Sequence, residues 1–196
     1  MEAFILQYVD IYVLQIMVLI GINIIMALGL NLITGVTGQL SMGHAGFMSI
    51  GAYTSAILSV HFGMPFWFCL TAAGLMAALA GVFIGIPTLR LEGDYLAMVT
   101  IGFSEIVRMI LNNESWTGGP RGMGGYGDPF AALSLRPDQL RLAILILSLA
   151  VLVLTYLFLE YAVRSPWGRV LKAIREDEEA ARSLGKDTRR YKLQSL

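Results

Sequence analysis

The chain has 196 residues, of which 56% are hydrophobic and 14% are charged, and its formal net charge is zero. Ordinary soluble domains carry about 25% charged residues, so this composition excludes a typical water-soluble globular protein. The balanced charge also gives no indication of an acidic or basic macromolecular partner, and no nucleic acid is expected to bind.

A long charge-free interval dominates the first half of the chain. No charged residue occurs between Asp10 and Arg90, a stretch of 79 residues. One helical crossing of a bilayer needs roughly 20 apolar residues, so the interval has room for three crossings with their turns. The first predicted span is residues 11–30. Because no basic n-region or cleavage site precedes it, we expect this run to be retained as a span.

A small, polar, glycine-rich stretch interrupts the same interval at residues 34–46. Irregular backbone survives at membrane depth only where protein or a water-filled cavity satisfies its polar groups. We therefore expect a broken or re-entrant helix there, leading into a second span at about 40–60. Gln39, Ser41 and His44 could contact a polar solute near the membrane midplane, as broken helices of transporters do. The alternative is that the glycines only permit close packing and that His44 is a satisfied interior histidine.

Three further spans are predicted after the second, at about 66–89, 95–111 and 139–161. A glycine-rich loop at 112–138 separates the last two. Glu105 and Arg108 lie three residues apart and so share one helical face. Ionisable groups inside a membrane are costly and are usually paired or functional. We expect a structural ion pair near the outer end of the helix rather than a substrate-binding pair.

Basic residues are concentrated near the end of the chain. Nine of the 14 lysines and arginines lie between Arg164 and Lys192. Such residues favour the cytoplasmic side, so we expect the segment 164–190 to be cytoplasmic. Counting back, the N-terminus lies outside if residues 40–60 cross fully and inside if they re-enter. Residues 191–196 are expected to begin another span.

An amphipathic helix is predicted within this basic region. Ser165 can cap it, Pro166 suits its first position and Gly185 suits its end. Glu178 and Arg182 are spaced for an ion pair one turn apart. The apolar residues near one face are Val170, Ile174, Ala181 and Leu184. The pattern alone leaves two interpretations open, a solvated loop helix and a docking helix that enters a groove on a partner.

Recognisable catalytic or cofactor motifs are missing from the sequence. It contains no phosphate-binding loop, no nucleophile elbow and no cluster with metal-ligand spacing. Two histidines and a single cysteine, Cys69, are available. We expect neither an enzyme activity nor a cofactor on this chain.

Several motifs occur in a fixed order along the chain. They are 29–35 (GLNLITG), 37–47 (TGQLSMGHAGF), 51–53 (GAY), 93–100 (GDYLAMVT), 102–108 (GFSEIVR), 117–120 (TGGP), 165–169 (SPWGR) and 173–178 (AIREDE). Together they resemble the permeases of branched-chain amino acid ABC importers, in particular the M-type of the two permease subunits. The resemblance extends over roughly residues 20–196.

This resemblance implies ATP-driven import by alternating access in the cell inner (plasma) membrane, where the chain is a multi-pass protein of the lipid bilayer. It implies a second permease subunit, two ATP-binding subunits and a periplasmic solute-binding protein as partners. Residues 165–185 are then the loop that contacts an ATP-binding subunit. The expected coupling residues are Gly168, Arg169, Ile174, Arg175, Glu176, Asp177, Ala181, Leu184 and Gly185. Of these, we expect Ile174 and Leu184 to fill a groove on the partner.

Alternatives to this assignment stay open. Similar permeases import urea or short-chain amides and share much of the 37–47 motif. An ion-coupled secondary transporter or channel would suit the Glu105–Arg108 pair and the broken helix, and a non-transporting membrane subunit is a third class. Members of the family continue with further spans after the cytoplasmic loop. We therefore expect a truncated product or fragment that cannot form a complete pore by itself.

Overall fold

The computed structural model describes residues 11–88, 91, 93–125, 130 and 137–195. Within these residues it contains helices and connecting turns and no β-strand. The fold is an all-α membrane bundle, which confirms the predicted fold class. Leu89, Leu196 and residues 126–129 and 131–136 of the predicted glycine-rich loop lie outside the described residues.

Eight α-helices are formed by the described residues. They are α1 (Ile11–Leu30), α2 (His44–Phe62), α3 (Phe66–Thr88), α4 (Asp94–Asn113), α5 (Pro137–Arg164), α6 (Pro166–Glu176), α7 (Glu178–Ser183) and α8 (Thr188–Ser195). A π-helical segment, Asn31–Val36, continues α1, and short 3-10 turns at Ser115–Thr117 and Gly119–Arg121 follow α4. We call residues 31–43 the break and residues 166–195 the basic segment.

Three of these helical stretches are long and apolar enough to cross a membrane: Tyr12–Val36, Phe66–Thr88 and Gln139–Arg164. The other two predicted spans are helices of 19 residues (α2) and 20 residues (α4). At 1.5 Å per residue each is about 30 Å long, which matches the hydrocarbon core. They carry more polar side chains than the other three, and their crossing of the membrane stays a prediction.

The long helices pack in two groups. Helix α2 contacts both α3 and α4, while α1 contacts α5. Small residues permit these approaches: an added Cβ at Gly51 would lie 3.5 Å from the backbone oxygen of Ala73, and one at Gly21 would lie 3.6 Å from the hydroxyl of Ser148. Such close helix contacts replace the hydrophobic driving force that is missing between helices in lipid.

The basic segment differs from its prediction in one respect. The single helix expected from Ser165 to Gly185 is wrong, because the chain leaves the helix at Asp177 and starts again as α7. Asp177 has an extended backbone (φ −155°, ψ 106°), and its carboxylate accepts the amide of Ala180, as an N-cap residue does. The hydroxyl of Ser165 accepts the amide of Gly168, which confirms the predicted start of α6.

Candidate coupling surface and translocation path

Around Thr37 and Gln39 the break is an ordered structure whose backbone is held by internal hydrogen bonds. The Thr37 hydroxyl and the Thr37 amide both donate to the carbonyl of Leu32, at 3.1 and 3.2 Å, and the Gln39 amide donates to Ile33 at 3.1 Å. Between them Gly38 has a φ of +76°, a conformation that glycine adopts readily and other residues rarely adopt. The protein itself thus supplies the hydrogen bonds that irregular backbone requires next to a membrane.

Arg175 of α6 lies directly against the break. Its guanidinium donates a hydrogen bond to the carbonyl oxygen of Gly35. An added Cβ at Gly38 would lie only 2.8 Å from Cγ of Arg175, so no side chain fits there unless Arg175 moves. The break and α6 therefore meet through a hydrogen bond and through close packing on a glycine.

A second contact joins the break to the last helix. The side-chain amide of Gln39 donates to the carbonyl oxygen of Lys192 at 3.4 Å. The ammonium of Lys192 pairs with the carboxylate of Glu178, which also pairs with Arg182 at 3.2 Å. Helices α7 and α8 are thereby held together beside the break.

The electrostatic environment of Glu178 favours its ionised form. Burial alone would raise the pKa of this carboxyl. Hydrogen bonds from Lys192 and Thr188, with the positive charges of Lys192 and Arg182, outweigh burial and hold the pKa below its ordinary value of 4.5. The carboxylate is thus a fixed negative charge at neutral pH.

A cavity of about 190 Å³ lies where the break, the start of α4 and the basic segment meet. Its lining combines charged and polar groups, among them Gln39, Arg175, Glu178 and Lys192, with the apolar side chain of Ile174. The residues predicted as parts of two separate features, a solute path and a docking helix, are therefore neighbours at this place.

The predicted coupling residues divide into a buried and an exposed set. Ile174 and Ala181 are both 4% exposed and pack inside this chain. The expectation that Ile174 enters a groove on a partner is therefore wrong, because its side chain is already covered. Leu184 is 81% exposed and remains available for a partner. The other exposed members are Arg169, Arg175, Glu176, Asp177 and Gly185.

Gly168 holds the start of α6 against the end of α5. An added Cβ at this position would lie 2.2 Å from the carbonyl oxygen of Val163, a backbone atom that cannot swing away. Any larger residue would force α6 away from α5. Gly168 thus has a positional role, and it is buried rather than available for direct contact with a partner.

Ser41 and His44 lie further from the basic segment than Gln39, beside the middle of α4. The Met42 amide donates to the hydroxyl of Thr100 at 3.0 Å, and Thr100 is fully buried. Thr100 is six residues into α4, which at 1.5 Å per residue is about 9 Å from its start. The structure therefore separates the three predicted path residues, with Gln39 at the basic segment and the other two further along α4.

Two polar atoms at this position have no hydrogen-bond partner among the described residues. They are the hydroxyl oxygen of Ser41 and Nδ1 of His44, and both atoms are buried. The missing partner of Nδ1 argues against the alternative that His44 is a satisfied interior histidine.

Glu105 and Arg108 form a two-point ion pair on α4, with N–O distances of 2.9 and 2.5 Å. Arg108 lies about 21 Å along the helix from Asp94, close to its other end. Both side chains are exposed on this chain. Across the described part of the chain, no group of three His, Cys, Asp or Glu residues could hold a metal ion.

Sequence reasoning missed Lys192 and Thr100. The Lys192–Glu178 pair spans 14 residues, so no helical spacing points to it. Thr100 lies within a quoted motif, but threonine on an apolar helix gives no signal that its hydroxyl accepts a backbone amide from 58 residues earlier.

Comparisons with known proteins give a consistent result. The family described as branched-chain amino acid transport system / permease component matches residues 12–196. The high-affinity branched-chain amino acid transport system permease protein LivM of Escherichia coli (strain K12) is 43% identical, over 74% of this chain and 39% of that protein. The protein of the same name from Salmonella typhimurium is 40% identical over the same shares.

A more distant relative is also similar. A probable branched-chain amino acid transport permease protein LivM from Methanocaldococcus jannaschii is 31% identical, over 65% of this chain and 37% of that protein. The chain thus spans about two fifths of the length of the curated relatives it matches. No solved structure matches it.

Proposed function

The chain belongs to the family of branched-chain amino acid transport permeases, and from that premise we propose that it is the M-type permease subunit of an ATP-driven importer of branched-chain amino acids. The observation that carries the proposal is the attachment of a charged, capped helix pair to a break between apolar helices. An importer driven by a separate ATPase needs such a connection between its docking surface and its membrane part.

The proposed partners are two ATP-binding subunits, a second permease subunit and a periplasmic solute-binding protein, in the inner membrane. The basic segment lies on the cytoplasmic side up to about residue 190, because basic residues beside spans favour that side, and residues after 190 begin a further span. Helices α6 and α7 dock on an ATP-binding subunit. Leu184 supplies the apolar contact, since it is exposed, while Arg169, Glu176 and Asp177 set the orientation through their charges.

The proposed solute path passes Ser41 and His44. A buried polar atom without a partner costs about 1–3 kcal/mol, so a chain that keeps two such atoms gains something from them in another state. A branched-chain amino acid offers an ammonium and a carboxylate. The Ser41 hydroxyl can pair with either group, and Nδ1 of His44 can pair with one of them according to its protonation. Gln39, beside the basic segment, then lies at the cytoplasmic end of this path.

The geometry of the Glu105–Arg108 pair argues against an ion-coupled carrier. Glu105 and Arg108 neutralise each other through two hydrogen bonds and lie at the surface of this chain. A carrier that couples to protons uses ionisable groups that take up and release a proton during the cycle. A pair fixed in two-point geometry on one helix is better suited to a structural role.

The solute is tested by competition in proteoliposomes that contain the transporter with this chain. Uptake of labelled leucine is measured with isoleucine, valine, urea or acetamide in excess. We expect isoleucine and valine to reduce the uptake and urea and acetamide to leave it unchanged. Uptake of urea or acetamide without uptake of leucine would assign the chain to the amide-importing relatives instead.

A further inference from the structure

The backbone carbonyl of Gly35 lies at the C-terminal end of the π-helical segment Asn31–Val36. At a helix C-terminus the last carbonyls lack the amides that would pair with them four residues later, or five residues later in a π-helix. The amide of Gln39, four residues after Gly35, donates to Ile33 instead. The guanidinium of Arg175 supplies a donor to this carbonyl from 140 residues away.

The Arg175 side chain suits its position beside the Gly35 carbonyl in two ways. Carbonyls at a helix end carry partial negative charge, which favours a cation there. The aliphatic stem of Arg175 also lies against Gly38, whose missing side chain leaves the space for it. A guanidinium offers five donors in a fixed plane, so it can hold the carbonyl while its stem stays packed.

Helix α6 is thereby attached at both ends. Its first turn is pressed against the end of α5 through Gly168 and Val163, and its last turn is fastened to the break through Arg175. The break in turn continues α1 on one side and leads through Ser41 to the start of α2 on the other. A movement of α6 therefore has a direct route to the residues that carry the unpaired polar atoms.

We infer that Arg175 is a positioning residue that fastens the break to α6, so that residues 35–39 and the basic segment move as one body during transport. The inference goes beyond docking on an ATP-binding subunit, because it assigns Arg175 to a contact inside this chain. Its consequence for uptake rests on the proposed function. Its consequence for the dynamics of the break is independent of the proposed function.

The first test measures amide hydrogen exchange in the whole chain held in lipid nanodiscs. The reporters are the amides of Thr37 and Gln39, which are hydrogen-bonded within the break. Arg175→Ala is compared with Lys172→Ala, which removes the same charge from an exposed position of α6. A lost hydrogen bond to a charged group corresponds to roughly tenfold faster exchange. We expect that increase for Arg175→Ala alone, and equal exchange in both variants would overturn the inference.

The second test restores the connection by other chemistry. An added Cβ at Gly38 lies 3.3 Å from Cβ of Arg175, close to the roughly 3.5–4.5 Å of a disulfide. Gly38→Cys is combined with Arg175→Cys, and with Cys69→Ser to remove the other thiol. Comparing the oxidised and the reduced form of this one variant cancels the strain of a side chain at Gly38.

Uptake of labelled leucine is measured for both forms in the complete transporter. We expect the oxidised form to transport several-fold faster than the reduced form, because the disulfide again joins the break to α6. Equal or slower transport by the oxidised form would show that the contact has to open, and would overturn the inference. If the unmodified transporter imports no branched-chain amino acid, the proposed function fails, and hydrogen exchange still decides whether Arg175 holds the break.

Discussion

The guanidinium of Arg175 and the carbonyl oxygen of Gly35 form a hydrogen bond across 140 residues of sequence. It joins the two features that sequence reasoning treated as unrelated, the glycine-rich break and the charged docking helix. Because Gly38 packs on the same arginine, the glycine motif has a role in binding α6 as well as in bending the backbone.

Gly38→Ala is expected to destabilise the chain more than Gly63→Ala. Both glycines have positive φ, +76° and +60°, so both variants have the cost of an unfavourable backbone conformation. Of the two, the new Cβ collides with a neighbour at Gly38, since none of the described atoms outside its own helix lies within 4 Å at Gly63. We expect the collision to add about 1–3 kcal/mol to the loss of unfolding free energy. Denaturant unfolding in detergent measures the difference, and equal losses would contradict the packing role.

Ser41→Ala is expected to leave stability unchanged or slightly raised while it lowers uptake of leucine. The hydroxyl has no partner among the residues that the structure describes, so its removal abolishes an unsatisfied buried group. Thr100→Val is the matched comparison, because it leaves the Met42 amide unpaired and should cost about 1–3 kcal/mol. Thermal unfolding and uptake are measured on both. A Ser41→Ala variant with normal uptake would remove Ser41 from the path.

Leu184→Ser is expected to weaken association with the ATP-binding subunit without changing the stability of this chain. The side chain is 81% exposed, so its loss removes no internal packing. Ile174→Ala has the opposite effect, a loss of about 2–5 kcal/mol of stability, because that side chain is buried. Co-purification of the partner and unfolding of the isolated chain are the two measurements. Normal partner binding by Leu184→Ser would contradict the docking assignment.

Acid is expected to loosen the basic segment through Glu178. The pKa of this carboxyl is lowered in the folded chain, so the folded state binds the proton less tightly than the unfolded state. The stabilisation is fully present above pH 4.5 and is lost as the pH falls through the folded pKa. Hydrogen exchange of α8 amides from pH 3 to 7 measures the loss.

Glu178→Gln is the control for this pH dependence. It cannot ionise, so the acid-dependent part of the exchange should disappear, and α8 should exchange faster than in the unmodified chain at neutral pH. An unchanged acid response in Glu178→Gln would show that Glu178 is not the group responsible.

Composition and local signals predicted the helices of the fold. The absence of charge from residue 11 to 89 is enough to place apolar helices there, because a bilayer accepts little else. Ser165 and Pro166 marked the start of α6 because capping depends on neighbours a few residues apart. Asp177 falls inside the single helix predicted from Ser165 to Gly185, although the same residue type also starts helices, and in the structure that second preference prevails.

The site was predicted less completely, since its contacts are long-range. The patterns that drew attention to Gln39, Ser41 and His44 are local and contain no information on depth. The burial of Ile174 follows from the position of the break beside α6, which the periodicity of α6 alone does not specify. A surface helix and a helix packed on another element show the same apolar stripe.

The central claim is that the chain is part of an importer driven by ATP. The most direct measurement is uptake of labelled leucine into proteoliposomes that contain the complete transporter and its solute-binding protein, with ATP supplied on the side of the ATP-binding subunits. The account predicts uptake that requires ATP and that is indifferent to imposed proton or sodium gradients. Uptake in ATP-depleted vesicles that follows one of those gradients would contradict it.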